Sequence, residues 1–513
     1  MRLIATLVLL CLMGREGFGA KILGLLPFPG RSHLSVSSPV LHGLAKKGHD
    51  VTAYVPFSTG FNATNYREIV YEHTPITNSI DVLSVVNVNA IQKPFGFFFM
   101  GIFTTEMALN TTEVRDLIRS EEKYDLIVME EFLNEAFFVF AHKFKCPVVL
   151  VSTFGSSAVV DQIFGNSAPL SYVPSLFLVA DDRMTLIERF QNVLVTVYTN
   201  LLRDLFYMPR QQALAVKYLG DSGVEIPDLG EIERQADFIL VNSHPAFSTP
   251  KPYMPNMKDV AGMHLKPVKP LPADLKEYLD SSKTGVVLFS LGSAMQSVKM
   301  PENVLRVLKK SFERLPFDVL WKWENDTMTD KPKNVRIGKW LPQNDLLAHP
   351  NLKLFITHGG ISSLMETVYH GVPIVATPLF GDQMRNIMLA ERRGYAIYLD
   401  FQTMTENQIY EAVMKVANDP KYKENVKKVS AYWRDDLNHP LDQAVHWVEY
   451  VLKHDGAKHL KATVTEQTFV QYLLLDVAFL ILTILTLTFL AVRRMFRSIC
   501  RRTGPKAISK KTN

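Results

Sequence analysis

Residues 340–383 read WLPQNDLLAHPNLKLFITHGGISSLMETVYHGVPIVATPLFGDQ, and the order of their parts decides the fold. A short apolar strand, LFIT, runs into His358-Gly359-Gly360. A helical stretch, ISSLMETVYHG, follows, and a second apolar strand, PIVATPLF, ends at Asp382-Gln383. A strand that meets glycines and then opens a helix makes an anion site. The first N–H groups of that helix have no internal partner, and the aligned peptide dipoles add partial positive charge there. Upstream, Trp340 offers a flat ring on which a base can stack, and Glu366 offers a carboxylate to ribose hydroxyls. Base, ribose and phosphate each find a matching group, so the segment predicts a nucleotide-sugar pocket.

Outward from this segment the chain alternates strands and helices. The second half opens with the strand TGVVLFSLGS. The first half runs KILGLLPFP, a helical VSSPVLHGLAKKGH, the strand DVTAYVP, then YDLIVME, NEAFFVFAHKF, PVVLVST and ADFILVNSHPAF. Strands separated by helical stretches argue for parallel sheets covered on both faces. The proline-dense PKPYMPN and KPVKPLPAD read as linker. The expected α/β body thus has two Rossmann-like halves, 21–265 and 283–455, joined by a linker at 266–282. A rather apolar stretch around 175–206 reads as a helical insertion. Its sequence fits a membrane-surface element, a wall of an acceptor pocket, or helices packed on the sheet.

The two ends set the compartment. Met1-Arg2, the apolar LIATLVLLCLM and the small residues near Gly17 and Gly19 read as a signal peptide over 1–20. Near the other end, after a juxtamembrane 456–472, residues 473–492 supply the roughly 20 apolar residues that cross a bilayer. Eight cations and no acid follow in 493–513, which places the tail in the cytosol and the body across the membrane. Of the net charge of +5, the tail carries +8 and the leader +1, so residues 21–492 stand at −4. That mildly acidic body does not indicate nucleic-acid binding, and no nucleic-acid partner is expected. Lys510-Lys511 resembles the dilysine retrieval signal of the endoplasmic reticulum membrane. A single-pass type I protein with a luminal body is the expectation. Asn62, Asn110 and Asn325 are acceptor sequons for glycans there. Of three cysteines only Cys146 lies in the body, so neither an intramolecular disulfide nor a cysteine metal cluster is expected.

With these parts in place, Trp340 to Gln383 resembles the signature of the UDP-glycosyltransferases, which make glucosides or glucuronides of small lipophilic molecules. The resemblance reaches the first half and the membrane tail. It implies a GT-B fold, two Rossmann-like domains facing across a cleft, with Gln343 near uracil and ribose. It puts His358 on phosphate with Thr357 and Gly360 beside it, Glu366 on ribose, and Asp382 with Gln383 on the sugar hydroxyls. Ser362 stands where the family commonly has asparagine, and its hydroxyl still donates to phosphate.

In open α/β sheets ligands sit beyond the carboxyl ends of strands. His33, in the loop after KILGLLPF, therefore reads as the base that removes an acceptor hydroxyl proton, and it also matches the family's catalytic histidine. Its partner is expected at the end of the fourth strand, where the family has aspartate and this chain has Glu130, with Glu131 and Asp125 as alternatives. UDP departs with negative charge that the helix N-terminus, His358 and Ser293 can meet without a metal. The expected reaction is a single inverting displacement moving a hexose, glucose ahead of glucuronate, from a UDP-sugar co-substrate to a hydroxyl of a small lipophilic acceptor. No cofactor is expected, and self-association stays open. Two alternatives remain: a transferase dedicated to one lipid or sterol, and a binding protein that keeps the fold without turnover.

Overall fold

The computed structural model describes residues 19–71, 91–293 and 295–503. The dilysine signal and nearly all of the leader lie outside them. Seven strands, β1 (Lys21–Leu25), β2 (Asp50–Val55), β3 (Tyr66–Val70), β4 (Leu126–Glu130), β5 (Val148–Ser152), β6 (Phe238–Val241) and β7 (Met257–Asp259), form one sheet. Six more, β8 (Val286–Ser290), β9 (Asp318–Lys322), β10 (Val335–Gly338), β11 (Leu352–Thr357), β12 (Ile374–Ala376) and β13 (Ala396–Tyr398), form a second. The orders are β3-β2-β1-β4-β5-β6-β7 and β10-β9-β8-β11-β12-β13, with every neighbouring pair parallel.

Both faces of each sheet are covered, so the strands are near-continuous apolar runs rather than alternating ones. In the first sheet Leu23, Ile127 and Leu150 face one core while Ile22, Val128 and Val149 face the other. In the second, Leu288, Leu320 and Phe355 oppose Phe289, Val319 and Ile356. Strand order reverses once per sheet, between β1 and β4 and between β8 and β11. Those two switch points open the crevices where α/β sheets bind ligands.

Seven helices matter here: α1 (Arg31–Lys46), α2 (Gln92–Leu109), α3 (Leu186–Leu202), α4 (Ile361–Tyr369), α5 (Gln383–Arg392), α6 (Pro440–Lys453) and α7 (Leu475–Thr503). The 175–206 stretch is helical only from Leu186, where a reciprocal Thr185–Glu188 capping box starts α3. Beyond α3 a π-helical turn, Arg203–Tyr207, is pinned by the buried pair of Arg203 with Glu233 at 2.5 Å. The range 283–455 assigned to the second half needs one correction. Its last helix, α6, buries Ala444, Val445 and Val448 in a core of the first sheet, so the chain returns to the half where it began.

Residues 462–503 belong to a separate compact unit. Within it Leu475–Ile499 is one helix long and apolar enough to cross a membrane. It starts after Leu474, whose left-handed φ of 53° separates it from the short turn Phe469–Tyr472. The three sequon asparagines, Asn62, Asn110 and Asn325, are exposed.

Candidate active site

His33 is not in a loop. Gly30 ends the extended stretch after β1 and caps α1, so His33 falls in the first helical turn, with Leu34 N–H already bonded to Gly30 O. The helix thereby fixes the ring at the β1/β4 switch point. His33 is 7% exposed, and its Nδ1 lies 2.6 Å from Glu130 Oε1. Glu130 is the last residue of β4, and its Oε2 is buried without a partner. Thr153, just past β5, places Oγ1 3.1 Å from the same Nδ1. Asn242 Nδ2 in turn holds Thr153 O at 2.9 Å. Phe28, Phe132 and Phe154 pack round the ring at 4.3, 4.4 and 5.0 Å between centroids.

The two alternatives to Glu130 point elsewhere. Asp125 accepts from Lys21 N at 2.8 Å, at the opposite, amino edge of the sheet. Glu131 turns toward the buried Glu135–Arg203–Glu233 group, and burial pushes its carboxyl well above the usual range.

On the second sheet, Thr357, His358 and Gly359-Gly360 lead from β11 into α4. No side chain caps α4, so its first N–H groups are left without a side-chain partner at the carboxyl end of β11. His358 is buried and its Nδ1 has no partner. Burial, with the Lys322 charge, lowers the His358 imidazole to about 4, so it is neutral near pH 7. Its ring fits between Gly292 and Gly360: a Cβ at either would lie 2.7 or 2.5 Å from it. Lys322 Nζ donates to Gly292 O at 2.9 Å and pairs with Glu324 at 3.0 Å. Ser293 is exposed in the turn after β8. Ser362 is half-buried in the first turn of α4, its carbonyl 3.4 Å from His264 Nε2.

Gln343 Nε2 donates to Glu366 Oε2 at 2.6 Å and to Ser363 Oγ at 3.1 Å, so the two residues assigned to uracil and ribose form one cluster. Burial raises the Glu366 carboxyl to about 7, partly opposed by the Gln343 bond. Trp340 is 79% exposed, a bare ring three residues from Gln343. Asp382 accepts from Asn386 Nδ2 at 2.6 Å, and the same amide donates to Gly359 O at 3.1 Å. Gln383 is buried, and its Oε1 accepts from Leu379 and Phe380 N–H at 2.8 and 3.2 Å. These bonds engage its amide oxygen and not its amide nitrogen.

The halves face each other. Burial raises the Asp382 carboxyl, and the Asn386 bond and the His33 imidazole across the cleft oppose that shift. α5 fastens the halves: Arg385 donates to Thr249 Oγ1 at 3.0 Å, Arg393 to Ser248 O at 2.7 Å, and Arg392 pairs with Asp181. Thr153, Asn386 and the phenylalanine box were not singled out in the sequence. Thr153 and Phe154 follow a strand at the carboxyl edge, the placement that selected His33, and that was the available signal.

Residues 31–508 match the family described as UDP-glucoronosyl and UDP-glucosyl transferase. The chain belongs to the UDP-glycosyltransferase family. It is 33% identical over 496 residues to UDP-glycosyltransferase UGT5 of Dactylopius coccus, covering 94% of this chain and 93% of that one. It is 32% identical to UDP-glucuronosyltransferase 2B7 of Homo sapiens, covering 90% of each. Among solved structures, the calicheamicin glycosyltransferase CalG4 shares the fold at a TM-score of 0.58 and 19% identity, over 85% of this chain and 99% of that one. TcCGT1 in complex with UDP does so at 0.57 and 15%, over 85% and all of its own chain. This UDP-glycosyltransferase therefore has the GT-B architecture, and among its described residues no group of three or more His, Cys, Asp or Glu is placed to hold a metal.

Proposed function

We propose that this UDP-glycosyltransferase moves a hexose, glucose first, from a UDP-sugar to a hydroxyl of a small lipophilic acceptor in one inverting displacement. The observation that carries the reading is the pairing of His33 with Glu130 at one switch point, opposite Asp382 and the glycine-led α4 at the other. Glu130 accepts a hydrogen bond from Nδ1–H, which leaves the Nε2 lone pair to receive the acceptor's proton. As the oxygen attacks the anomeric carbon, the bond from that carbon to the β-phosphate oxygen breaks, and UDP leaves with the electron pair. The α4 N–H groups and neutral His358 donate to the diphosphate, each such donor being worth on the order of 3 kcal/mol in rate. Glucose is favoured by the relative named UDP-glucosyltransferase 2 of Dactylopius coccus, 34% identical over 487 residues. The phenylalanine box favours a flat, lipophilic acceptor. α7 anchors the body to the endoplasmic reticulum membrane in this reading.

The test is a donor screen. Full-length protein is incubated with UDP-glucose, UDP-glucuronate or UDP-galactose and a mixture of phenols and aliphatic alcohols. The expected result is acceptor-dependent UDP release, fastest with UDP-glucose, giving the β-anomer from the α-linked donor. An α-product would overturn the single displacement, and tight donor binding without release would overturn turnover.

A further inference from the structure

Residues 170–184, just before α3, form neither helix nor strand, yet they are held in shape. Asn192 of α3 accepts from Ser175 N at 2.7 Å and donates to Leu170 O and Val173 O at 2.9 Å. Further along, Leu178 N–H bonds Ser175 O at 3.1 Å and Ala180 N–H bonds Leu178 O at 3.0 Å. This strap touches both sites. Phe177 packs edge-on against Phe97 of α2 at 5.3 Å, Phe97 against Phe132 at 5.3 Å, and Phe132 against His33 at 4.4 Å. Four residues on, Asp181 is buried. One of its carboxylate oxygens accepts from Arg183 N at 2.9 Å, and the other pairs with Arg392 of α5. Burial lowers the adjoining Arg393 guanidinium, and Tyr395 and Asp182 oppose that shift, so the strap sets a second acid near a second base at the same helix end.

We propose that Asp181 and Arg392 are positioning residues that couple acceptor occupancy of the phenylalanine box to the register of the donor sugar. The proposal rests on the reading above that the acceptor lies in that box. Arg385 and Arg393 tie α5 to residues 248–249, beyond β6, whereas Arg392 ties it to the strap that carries Phe177. α5 has ten residues and so forms a rod of about 15 Å. Asp382 and Gln383 stand at its first end and Arg392 in its last turn. An acceptor pressed against Phe97 and Phe177 sets the strap, and the strap sets the last turn of α5. The rod carries that setting to the two residues assigned to the sugar, where a shift of about 1 Å costs on the order of 100-fold in rate. The linkage is reciprocal, so a seated sugar raises acceptor affinity by the same factor. The Arg392 side chain is 48% exposed, so loss of the pair is expected to leave the fold intact.

Full-length protein is assayed over a grid of phenol and donor concentrations, with whichever of UDP-glucose, UDP-glucuronate and UDP-galactose it turns over fastest. The grid gives the factor by which saturating phenol tightens the donor, expected to be at least about fivefold in wild type. Arg392→Gln and Asp181→Asn are each expected to cut that factor below about twofold, and Arg392→Lys to restore most of it. The double variant Asp181→Asn with Arg392→Gln is expected to lose no more than either alone. Affinity for UDP, which lacks the sugar, stays within about twofold throughout by calorimetry. A full factor in Arg392→Gln, a wild type without coupling, or additive losses in the double variant overturns the proposal. UDP binding lost together with the coupling overturns it as well, because the pair then only holds the fold. A wild type that binds donor but releases no UDP with any acceptor refutes instead the transferase reading beneath it.

Discussion

At the scale of single residues, Glu130 gives one carboxylate oxygen to His33 and keeps the other buried and bare. In the proposed reaction that carboxylate stabilises the imidazolium formed as His33 takes the acceptor's proton. Glu130→Gln keeps the shape and removes the charge, and kcat is expected to fall by about 10^3 or more with donor KM unchanged in steady-state assays. Thr153→Val should lower kcat several-fold and change the pH profile while leaving KM, with Thr153→Ser restoring both. Rescue failure would mean that Thr153 only fills space. Glu366 carries a signed pH prediction. Its carboxyl titrates near 7 in the unliganded fold, above its ordinary value. Ribose hydroxyls prefer the ionised form, so donor KM should fall as pH rises through about 7, and Glu366→Gln should flatten that dependence. The same raised value contributes stability that is full below the ordinary carboxylate range and lost as pH rises to about 7. The placement of His358 just before a helix and of Glu366 on it was legible in the sequence, because both lie in one strand–helix segment. Thr153 was not, because it meets His33 from 120 residues away and carries no motif.

Elements explain why the glycines are where they are. Gly360 has φ −60°, which any residue adopts, yet a Cβ there would sit 2.5 Å from His358 Nε2. Gly360→Ala is therefore expected to leave the melting temperature within a few degrees while raising donor KM about tenfold through displacement of the ring. Calorimetric UDP titration beside a thermal melt checks both halves of that statement. The apolar runs of β1, β4, β8 and β11 were readable because both their faces are buried. The start of α1 was not: PGRSH looks like loop, and only Gly30 acting as cap brings His33 into a helix. The sequence assigns Gln383 to the sugar, and half of its amide holds the 379–380 backbone, a role that spacing alone does not reveal.

Across the whole molecule, the two strand-order reversals bring His33 and α4 to opposite walls of one cleft, and α5 and α6 hold the halves together. Alternation of strands and helices made the two halves legible. The return of α6 to the first sheet was hidden, since an amphipathic pattern shows that a helix buries a face but not against what. The proposed reaction depends on that cleft, with the base on one wall and the donor on the other. Its most direct test is His33→Ala, assayed for UDP affinity by calorimetry and for acceptor-dependent UDP release. The expected result is a UDP Kd within about twofold of wild type and a loss in kcat on the order of 10^3. Retained turnover, or UDP binding lost in step with turnover, would contradict it.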